Sequence, residues 1–294
     1  MPIRAVARRI LFMKKNFSSF LLVLMLLIGL SLLLYPTVSN YWNSRHHTKA
    51  VSAYTEQVSE MSEAEYEALL KRAEAFNDNI KNRKAIFTLS EREQAEYEAC
   101  LRLDQTGMMG YIEIPAIEVT LPIYHGTDDS VLNFAVGHLD WTSLPIGGES
   151  THCVLSGHRG LPSAKLFTNL DKLSTGDIFI LRIFDEVLAY EVDQILIVNP
   201  DETDELQIVD GKDYCTLVTC TPYGINTHRL LVRGHRVENA DVLQTLKVVS
   251  DAVQIDPILI APLIACPVLL FLLIILLLPN KQRKNRGGTH ENRS

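Results

Sequence analysis

The sequence predicts a mainly β domain, built as a closed or nearly closed barrel, preceded by helices and flanked by two transmembrane helices. Three features of the 294-residue chain lead to this fold class. Two long apolar runs carry no charge, a Glu- and Ala-rich segment follows the first run, and short β-rich runs separated by turn residues fill the centre. The chain between the apolar runs is long enough for one sizeable domain with its own core.

The two apolar runs, residues 17–35 and 258–278, each reach the roughly 18 to 20 residues that a membrane-spanning helix needs. The first run exceeds the usual apolar core of a signal peptide, about 7 to 15 residues, and no A-x-A-like cleavage site follows it. We therefore expect an uncleaved anchor. Basic tails, residues 1–16 and 279–294, predict a two-span protein of the cell membrane with both termini cytoplasmic and the middle extracellular.

The charge of the central part excludes one class of partner. The two tails carry +5 and +4, and subtracting them from the net charge of −7 leaves −16 for the residues between them. A domain this acidic is poorly suited to bind the phosphate backbone, so nucleic acid is not an expected partner.

The region before the barrel, residues 36–106, is predicted to be helical. Its segment TEQVSEMSEAEYEALLKRAEAFNDNI repeats apolar or Ala positions at helical spacing, which predicts one or two amphipathic helices. Two roles remain open for this region. It is either a stalk that spaces the barrel from the membrane or a regulatory element.

The barrel is predicted for residues 107–240 because β-rich runs recur there at short intervals. Runs such as GYIEIPAIEVTLPIYHG, THCVLSGH and DIFILRIF alternate with Gly, Pro, Asn and Asp. Residues 163–176 are predicted as a short helix and turn between strands. Residues 241–257 then form a linker to the second apolar run.

The cysteines favour free thiols. Cys215 and Cys220 share one predicted strand, and five residues at about 3.3 Å each separate them by about 16 Å, beyond the roughly 7 Å limit for a disulfide. Cys215 and Cys153 are predicted to be core thiols. A free thiol in an extracellular domain is unusual and favours a catalytic role for one cysteine.

The segment TLVTCTPYGINTHRLLVRG carries the predicted chemistry. Cys220 ends one strand, turn residues follow, and Arg229 begins the next strand, so the two side chains should lie close together. A cysteine nucleophile acts as the thiolate and needs a neighbouring base or positive group. His158, in the loop of VLSGHRG, is the predicted partner, and Arg229 is the predicted donor to an oxyanion.

Other polar residues near these motifs are given ordinary roles. The imidazoles of His125, His138 and His228 are predicted to be structural or to line a substrate groove. Arg159 and Arg233 are interpreted as surface charges.

The sequence closely resembles the class C, pilin-assembling sortases of Gram-positive bacteria over about residues 107 to 237. TLVTC followed nine residues later by Arg229 is the most specific motif, and SGHRG, GYIEIP, LPIYHGT and GHL support it in family order. The resemblance implies the eight-stranded sortase barrel. Two membrane segments around an outside domain also look like class C.

By this resemblance, Cys220 would attack the Thr carbonyl of a Leu-Pro-x-Thr-Gly-like sorting signal and release the Gly side from a thioacyl enzyme. His158 would protonate the leaving amine, and Arg229 would hold the oxyanion. A Lys amine of the next subunit would then form an isopeptide bond. The implied partners are pilin subunits and the cell membrane, with no cofactor and no metal.

One departure from the family concerns the lid. Class C sortases typically carry a lid marked by an Asp-Pro-aromatic triplet that covers the cysteine. The corresponding stretch, NIKNRKAIFTLSEREQAEYEAC, contains no Asp-Pro pair, although Phe87 offers an aromatic side chain. We expect a missing, shortened or atypical lid.

Three rival interpretations remain open. A metal site could draw on His152, Cys153, His158, Cys215 and Cys220, but their spacing matches no common metal motif. A papain-like peptidase would have its cysteine before its histidine, the reverse of the order found here. A non-enzymatic, membrane-anchored pilus-base or binding protein would be expected to carry its own sorting signal, and none precedes the second apolar run.

Overall fold

A computed structural model of the chain describes residues 3–81, 88–103, 106–238, 267–268 and 271, with side chains described from Leu21 onward. Described residues up to Thr37 belong to one compact unit, and those from Val38 to residue 238 belong to a second unit that contains the barrel.

The first predicted span lies in helix α1, which covers Ile3–Glu60 and contains Pro36. Among the described residues, Leu21–Glu60 is the one segment long and apolar enough to cross a membrane, by length and composition alone, and a signal sequence would pass the same test. The second predicted span lies outside the described residues except for 267–268 and 271. The linker and the C-terminal tail lie wholly outside them.

The region before the barrel contains three helical segments, where the sequence predicted one or two. The later part of α1 is followed by α2, Glu63–Lys81, and α3, Glu91–Ala99. Helix α3 begins at a capping box in which the Ser90 side chain accepts from Glu93 N and the Glu93 carboxylate accepts from Ser90 N at 2.8 Å. The Ser-x-x-Glu spacing that forms this cap is readable in the sequence.

These helices pack on the barrel and are more than a spacer. The Tyr54 hydroxyl of α1 donates to Met109 O at 3.0 Å and accepts from Phe184 N at 2.7 Å. The Asn77 side chain of α2 accepts from Leu144 N at 2.7 Å. Tyr54 and Asn77 are both buried, so the helices belong to the folded domain.

Eight strands form a closed barrel in the order β1-β2-β3-β4-β7-β8-β6-β5, as predicted. The strands are β1 Met108–Ile114, β2 Val119–His125, β3 Val136–His138, β4 Thr151–Ser156, β5 Ile178–Ile183, β6 Glu186–Val198, β7 Asp213–Thr221 and β8 His228–Val237. Short helical turns connect them: α4 Asp129–Leu132 and 3-10 turns at Pro115–Ile117, Leu170–Lys172 and Asp204–Leu206. The turn Leu170–Lys172 lies in the stretch predicted as a short helix.

Two neighbouring pairs in the barrel, β2–β3 and β4–β7, are parallel, and the others are antiparallel. Side chains such as Ile112, Phe179, Leu217 and Val232 fill the interior and are almost fully buried. Because successive side chains alternate between faces, the residues between them on each strand point outward. The predicted active-site residues lie on that outer face or just beyond a strand end.

Candidate active site

Cys220 is the next-to-last residue of β7, and its side chain faces the outside of the barrel. Alternation along the strand sends Cys215 and Leu217 into the core and Val218 and Cys220 outward. The four cysteines in the described part of the chain are free thiols, and Cys220 is half-buried while Cys100, Cys153 and Cys215 are buried. The prediction of core thiols at Cys153 and Cys215 is confirmed. Cys220 is thus the most accessible thiol among the described residues.

Arg229 lies directly opposite Cys220 across the β7–β8 hairpin. Directly opposed residues of antiparallel strands have Cα atoms about 4.5 to 5.5 Å apart and share one face of the sheet. The Arg229 Nη1 atom donates to His228 O at 3.2 Å and to Asn226 O at 3.4 Å. The guanidinium must therefore rotate away from its own hairpin to reach a carbonyl oxygen held at Cys220.

The parallel pairing of β4 with β7 puts His158, just after β4, at the same end of the barrel as Cys220. Ser156 is in register with Val218, and Gly157 N donates to Val218 O at 3.1 Å. The Thr219 hydroxyl then donates to Gly157 O at 2.7 Å. His158 follows Ser156 by two residues and Cys220 follows Val218 by two residues, so both lie at the same end of the β4–β7 pair.

Gly157 is required immediately before His158 because the Phe167 ring packs on its Cα. A Cβ atom at position 157 would lie 2.7 Å from Phe167 Cδ2. The Phe167 N–H also donates to His158 O at 3.1 Å. The backbone is thus held at Gly157 by β7 and at His158 by the segment that returns after it.

Two arginines that the sequence led us to expect as surface charges form partly or largely buried ion pairs. The Arg159 side chain is 9% exposed and pairs with Asp171 at 2.5 Å. Its Nη1 atom donates to the Thr221 hydroxyl at 3.2 Å. Arg233 donates to both carboxylate oxygens of Asp193, at 2.9 and 3.1 Å. No local sequence signal distinguishes these arginines from exposed ones, because each acceptor comes from a different strand or loop.

An apolar cluster lies on the outer face next to Cys220 and Arg229. Val218 pairs with Leu231, one alternate position along each strand from Cys220 and Arg229. These two side chains pack with Val154 and Leu206, and half-buried apolar side chains border them: Leu139, Trp141, Leu196 and Val198. The thiol therefore stands at the end of a partly exposed apolar surface.

The histidines left out of the predicted catalytic set are structural or exposed. His138 is fully buried, with Nδ1 3.0 Å from the Tyr97 hydroxyl and Nε2 2.8 Å from Ser143 O. His125 lies between Cys100 O and Gly107 O, and burial lowers its pKa. His228 is exposed at the hairpin. His125 and His138 help to hold α3 on the barrel through Tyr97, which packs against both rings.

The residues considered as metal ligands do not converge on one point. His152 is buried and uses both ring nitrogens, at 2.9 Å from Gln207 O and 2.7 Å from the Thr216 hydroxyl. Within the described ranges no group of three His, Cys, Asp or Glu side chains is arranged to hold a metal ion.

The lid prediction concerns residues that are only partly described. Phe87 and its neighbours from residue 82 lie outside the described residues. The later part of that stretch forms α3, whose Tyr97 is buried against His125 and His138. The missing, shortened or atypical lid stays a prediction.

Comparisons with known proteins all point to one protein family. Residues 112–237 match the sortase domain. The chain is 31% identical to sortase D of Bacillus subtilis (strain 168) over 160 residues, which make up 53% of this chain and 78% of that protein.

Solved structures give the same result at higher identity. Sortase C1 of Streptococcus agalactiae is 52% identical with a TM-score of 0.64, covering 65% of this chain and 99% of that one. A Clostridium perfringens sortase C, solved with the C-terminal cell wall sorting motif, is 48% identical with a TM-score of 0.58 and covers 65% and 99%. Streptococcus pneumoniae sortase C is 44% identical with a TM-score of 0.59 and covers 65% and 97%.

Proposed function

The chain belongs to the sortase family of cysteine transpeptidases, and we propose that it is a class C enzyme that joins pilin subunits covalently. The observation that carries the proposal is the pairing of Cys220 with Arg229, and the β4–β7 register supports a role for His158 at the same end of the barrel. We assign Cys220 as the nucleophile, His158 as its acid–base partner and Arg229 as the permanent cation.

In the first half-reaction, the Cys220 thiolate attacks the Thr carbonyl carbon of a Leu-Pro-x-Thr-Gly-like signal. The Arg229 guanidinium turns from the His228 carbonyl to the carbonyl oxygen of the substrate, where negative charge develops in the tetrahedral intermediate. When that intermediate collapses, the C–N bond breaks and His158 donates a proton to the leaving Gly amine. A thioacyl bond between Thr and Cys220 remains.

In the second half-reaction, a Lys amine of another subunit attacks the thioacyl carbon. His158, now neutral, accepts a proton from that amine, and the Cys220 thiolate leaves. The product is an isopeptide bond, and the enzyme returns to its starting protonation state. Water in place of the amine would give hydrolysis, so the acceptor must compete with water for the thioacyl enzyme.

The apolar part of the sorting signal fits the apolar cluster beside the thiol. Leu196 and Val198 are half-buried and lie in register with Leu231 and Arg229 on the outer face. A Leu-Pro segment placed there would cover apolar surface while its Thr carbonyl reaches Cys220. Burial of a leucine side chain is worth about 1.5 to 3 kcal/mol, enough to orient the peptide.

Assignment to class C rests on the structural relatives. The three sortase C structures are 44–52% identical to this chain and are covered almost completely by it. One relative was solved with a cell wall sorting motif, and the structure of another concerns pilin substrate specificity. These relatives support a sorting signal as the substrate and a pilin as the protein that carries it.

We place the catalytic domain outside the cell on a membrane protein with two spans. The first span is supported by the apolar segment in α1. Residues 258–278 would form the second span, with both basic tails in the cytoplasm as their Lys and Arg content predicts.

Intact mass spectrometry tests the nucleophile. The full chain in detergent micelles is mixed with a sorting-signal peptide, and a covalent adduct with the mass of the Thr-terminated fragment is expected. The adduct should be lost in Cys220→Ala and strongly reduced in Arg229→Ala. Arg233→Ala is the matched control, since Arg233 shares the strand and face of Arg229 but lies opposite Thr216, away from Cys220.

Addition of a Lys-bearing pilin domain tests the transfer step. Transpeptidation predicts a covalent product between peptide and pilin that disappears when the acceptor Lys is changed to Arg. Release of free Thr-terminated peptide alone, at every pilin concentration, would contradict pilin joining and leave a hydrolase.

A further inference from the structure

Arg159 links the two chain segments that carry the predicted catalytic pair. It directly follows His158, and Thr221 directly follows Cys220. The Arg159 Nη1 atom donates to the Thr221 hydroxyl at 3.2 Å, while Nη2 pairs with Asp171 at 2.5 Å. The guanidinium therefore bridges the residue after the nucleophile and the 3-10 turn Leu170–Lys172.

Arg159 is paired, but its hydrogen bonding is incomplete. The Arg159 side chain is 9% exposed, and its Nε atom is buried without a hydrogen-bond partner among the described residues. The ion pair with Asp171 compensates the charge, whereas the unsatisfied buried Nε donor is unfavourable for folding. What arginine offers is geometry, because its planar guanidinium directs several N–H groups at fixed angles toward two acceptors at once.

A second contact holds the same loop to the same hairpin. Gly160 has a φ of +78°, and a Cβ atom there would lie 3.0 Å from the Tyr223 ring. Residues 158–160 thus meet the residues after Cys220 at two points, the Arg159–Thr221 hydrogen bond and the Gly160–Tyr223 contact. After the bond from Gly157 N to Val218 O, these two contacts hold the loop to the hairpin.

We propose that Arg159 is a positioning residue of the transpeptidation reaction, which holds the His158 loop at a fixed distance from Cys220 through its bond to Thr221 and its ion pair with Asp171. This rests on the proposed roles of Cys220 and His158. Arg159 itself does not touch the substrate. It acts on the proton transfers of His158, whose rate depends on the distance between the imidazole and the reacting nitrogen.

This role predicts a change in kcat with little change in KM. The apolar cluster that would bind the signal includes neither Arg159 nor Thr221, so peptide affinity is unaffected by loss of the bridge. Displacement of a catalytic group by about 1 Å can lower a rate by about 100-fold. We expect Arg159→Met to lower kcat by about 10- to 100-fold with KM changed less than about twofold.

The experiment measures peptide cleavage by the full chain in detergent micelles for Arg159→Met, Thr221→Val and the double variant. If the two side chains act through one bond, the double variant should be no slower than Arg159→Met alone. Thr221→Ser keeps the hydroxyl and should retain wild-type kcat. Asp171→Asn should lower kcat less than Arg159→Met does.

Arg182→Met is the control variant, because it also removes an arginine that forms an ion pair. Arg182 pairs with Glu113 at 3.0 Å across β5 and β1, on the side of the barrel opposite β4 and β7. It should leave kcat unchanged, and the melting temperature is recorded for every variant. A folded Arg159→Met enzyme with wild-type kcat, or multiplicative effects of the two single changes in the double variant, would overturn the proposal.

The thioacyl adduct separates this inference from the proposed function. If wild-type enzyme forms no adduct on Cys220, the proposed function fails. If wild-type enzyme forms the adduct and Arg159→Met forms it equally fast, only the positioning role fails.

Discussion

Replacement of Gly157 by alanine puts a methyl group where the Phe167 ring packs. The new Cβ atom would lie 2.7, 2.9 and 3.1 Å from three ring carbons of Phe167. The φ angle of Gly157 is not in the left-handed region, so the effect of the substitution is steric. Because Phe167 N also donates to His158 O, any shift of Phe167 is passed to the predicted catalytic histidine.

The size of the effect follows from these distances. Carbon atoms in contact normally lie about 3.5 to 4.0 Å apart, so the ring must retreat by about 0.8 Å. Phe167 is fully buried in the main core, which leaves little space for the movement. Overpacking of this kind destabilises a protein by about 1 to 3 kcal/mol, and the displaced His158 should slow thioacylation by at least about 10-fold.

Urea unfolding of residues 38–253, followed by circular dichroism, measures the stability, and the rate of adduct formation measures the activity. Gly157→Ala combined with Phe167→Leu removes much of the clash, so the double variant should be more stable than the sum of the two single changes predicts. A Gly157→Ala domain within about 0.5 kcal/mol of wild type, with an unchanged adduct rate, would refute the steric argument.

Three further outcomes are expected. Among the four described cysteines, a small thiol reagent at neutral pH should label Cys220 alone, because the other three are buried. Labelling of Cys100, Cys153 or Cys215 in the folded protein, detected by peptide mapping, would contradict this. Tyr97→Phe leaves the Gly126 N–H and His138 without the hydroxyl that they contact. It should lower the free energy of unfolding, measured in urea, by about 1 to 3 kcal/mol. Tyr66→Phe is the control, since it removes an exposed bond to Glu186 and should change that free energy by less than about 0.5 kcal/mol. Burial lowers the pKa of His152 to about 4, so as the pH falls from about 6.5 to 4 the unfolded chain binds a proton at this residue that the folded chain does not bind. The free energy of unfolding should therefore fall by up to about 3 kcal/mol in that pH window. Melting temperatures measured across the window test this, and an equal fall in His152→Gln would show that His152 is not its origin.

The β7–β8 hairpin is the part of the site that could be predicted locally. The strand ending at Cys220, the turn residues and the strand beginning near His228 are contiguous in the chain, and the observed pairing joins Cys220 with Arg229. Hairpin register depends on the length of the turn and the alternation of side chains, both of which are local properties. The catalytic roles of the two residues remain a proposal.

Local sequence patterns were not enough to predict where His158 lies in the fold. It lies at the same end of the barrel as Cys220 because β4 pairs in parallel with β7, although two strands of the chain, β5 and β6, lie between them in sequence. Because no tight turn joins two parallel strands, no local sequence feature fixes the register between them. The sequence pointed to His158 through the SGHRG motif and its family resemblance.

Sequence periodicity predicted helices before the barrel but did not say what they contact. An amphipathic face shows that a helix buries one side, not which surface covers it. The hydrogen bonds of Tyr54 to Met109 and of Asn77 to Leu144 identify that surface as the barrel.

The mainly β class, the membrane-length first apolar segment, and a cysteine and an arginine on adjacent strands could be predicted because they depend on composition and on residues near each other in the chain. The bridging role of Arg159, whose side chain is 9% exposed, depends on tertiary contacts and could not be predicted. Its partner Asp171 is 12 residues away and Thr221 is 62 residues away. Closure of the barrel brings them together, and burial removes the water that would otherwise solvate the guanidinium.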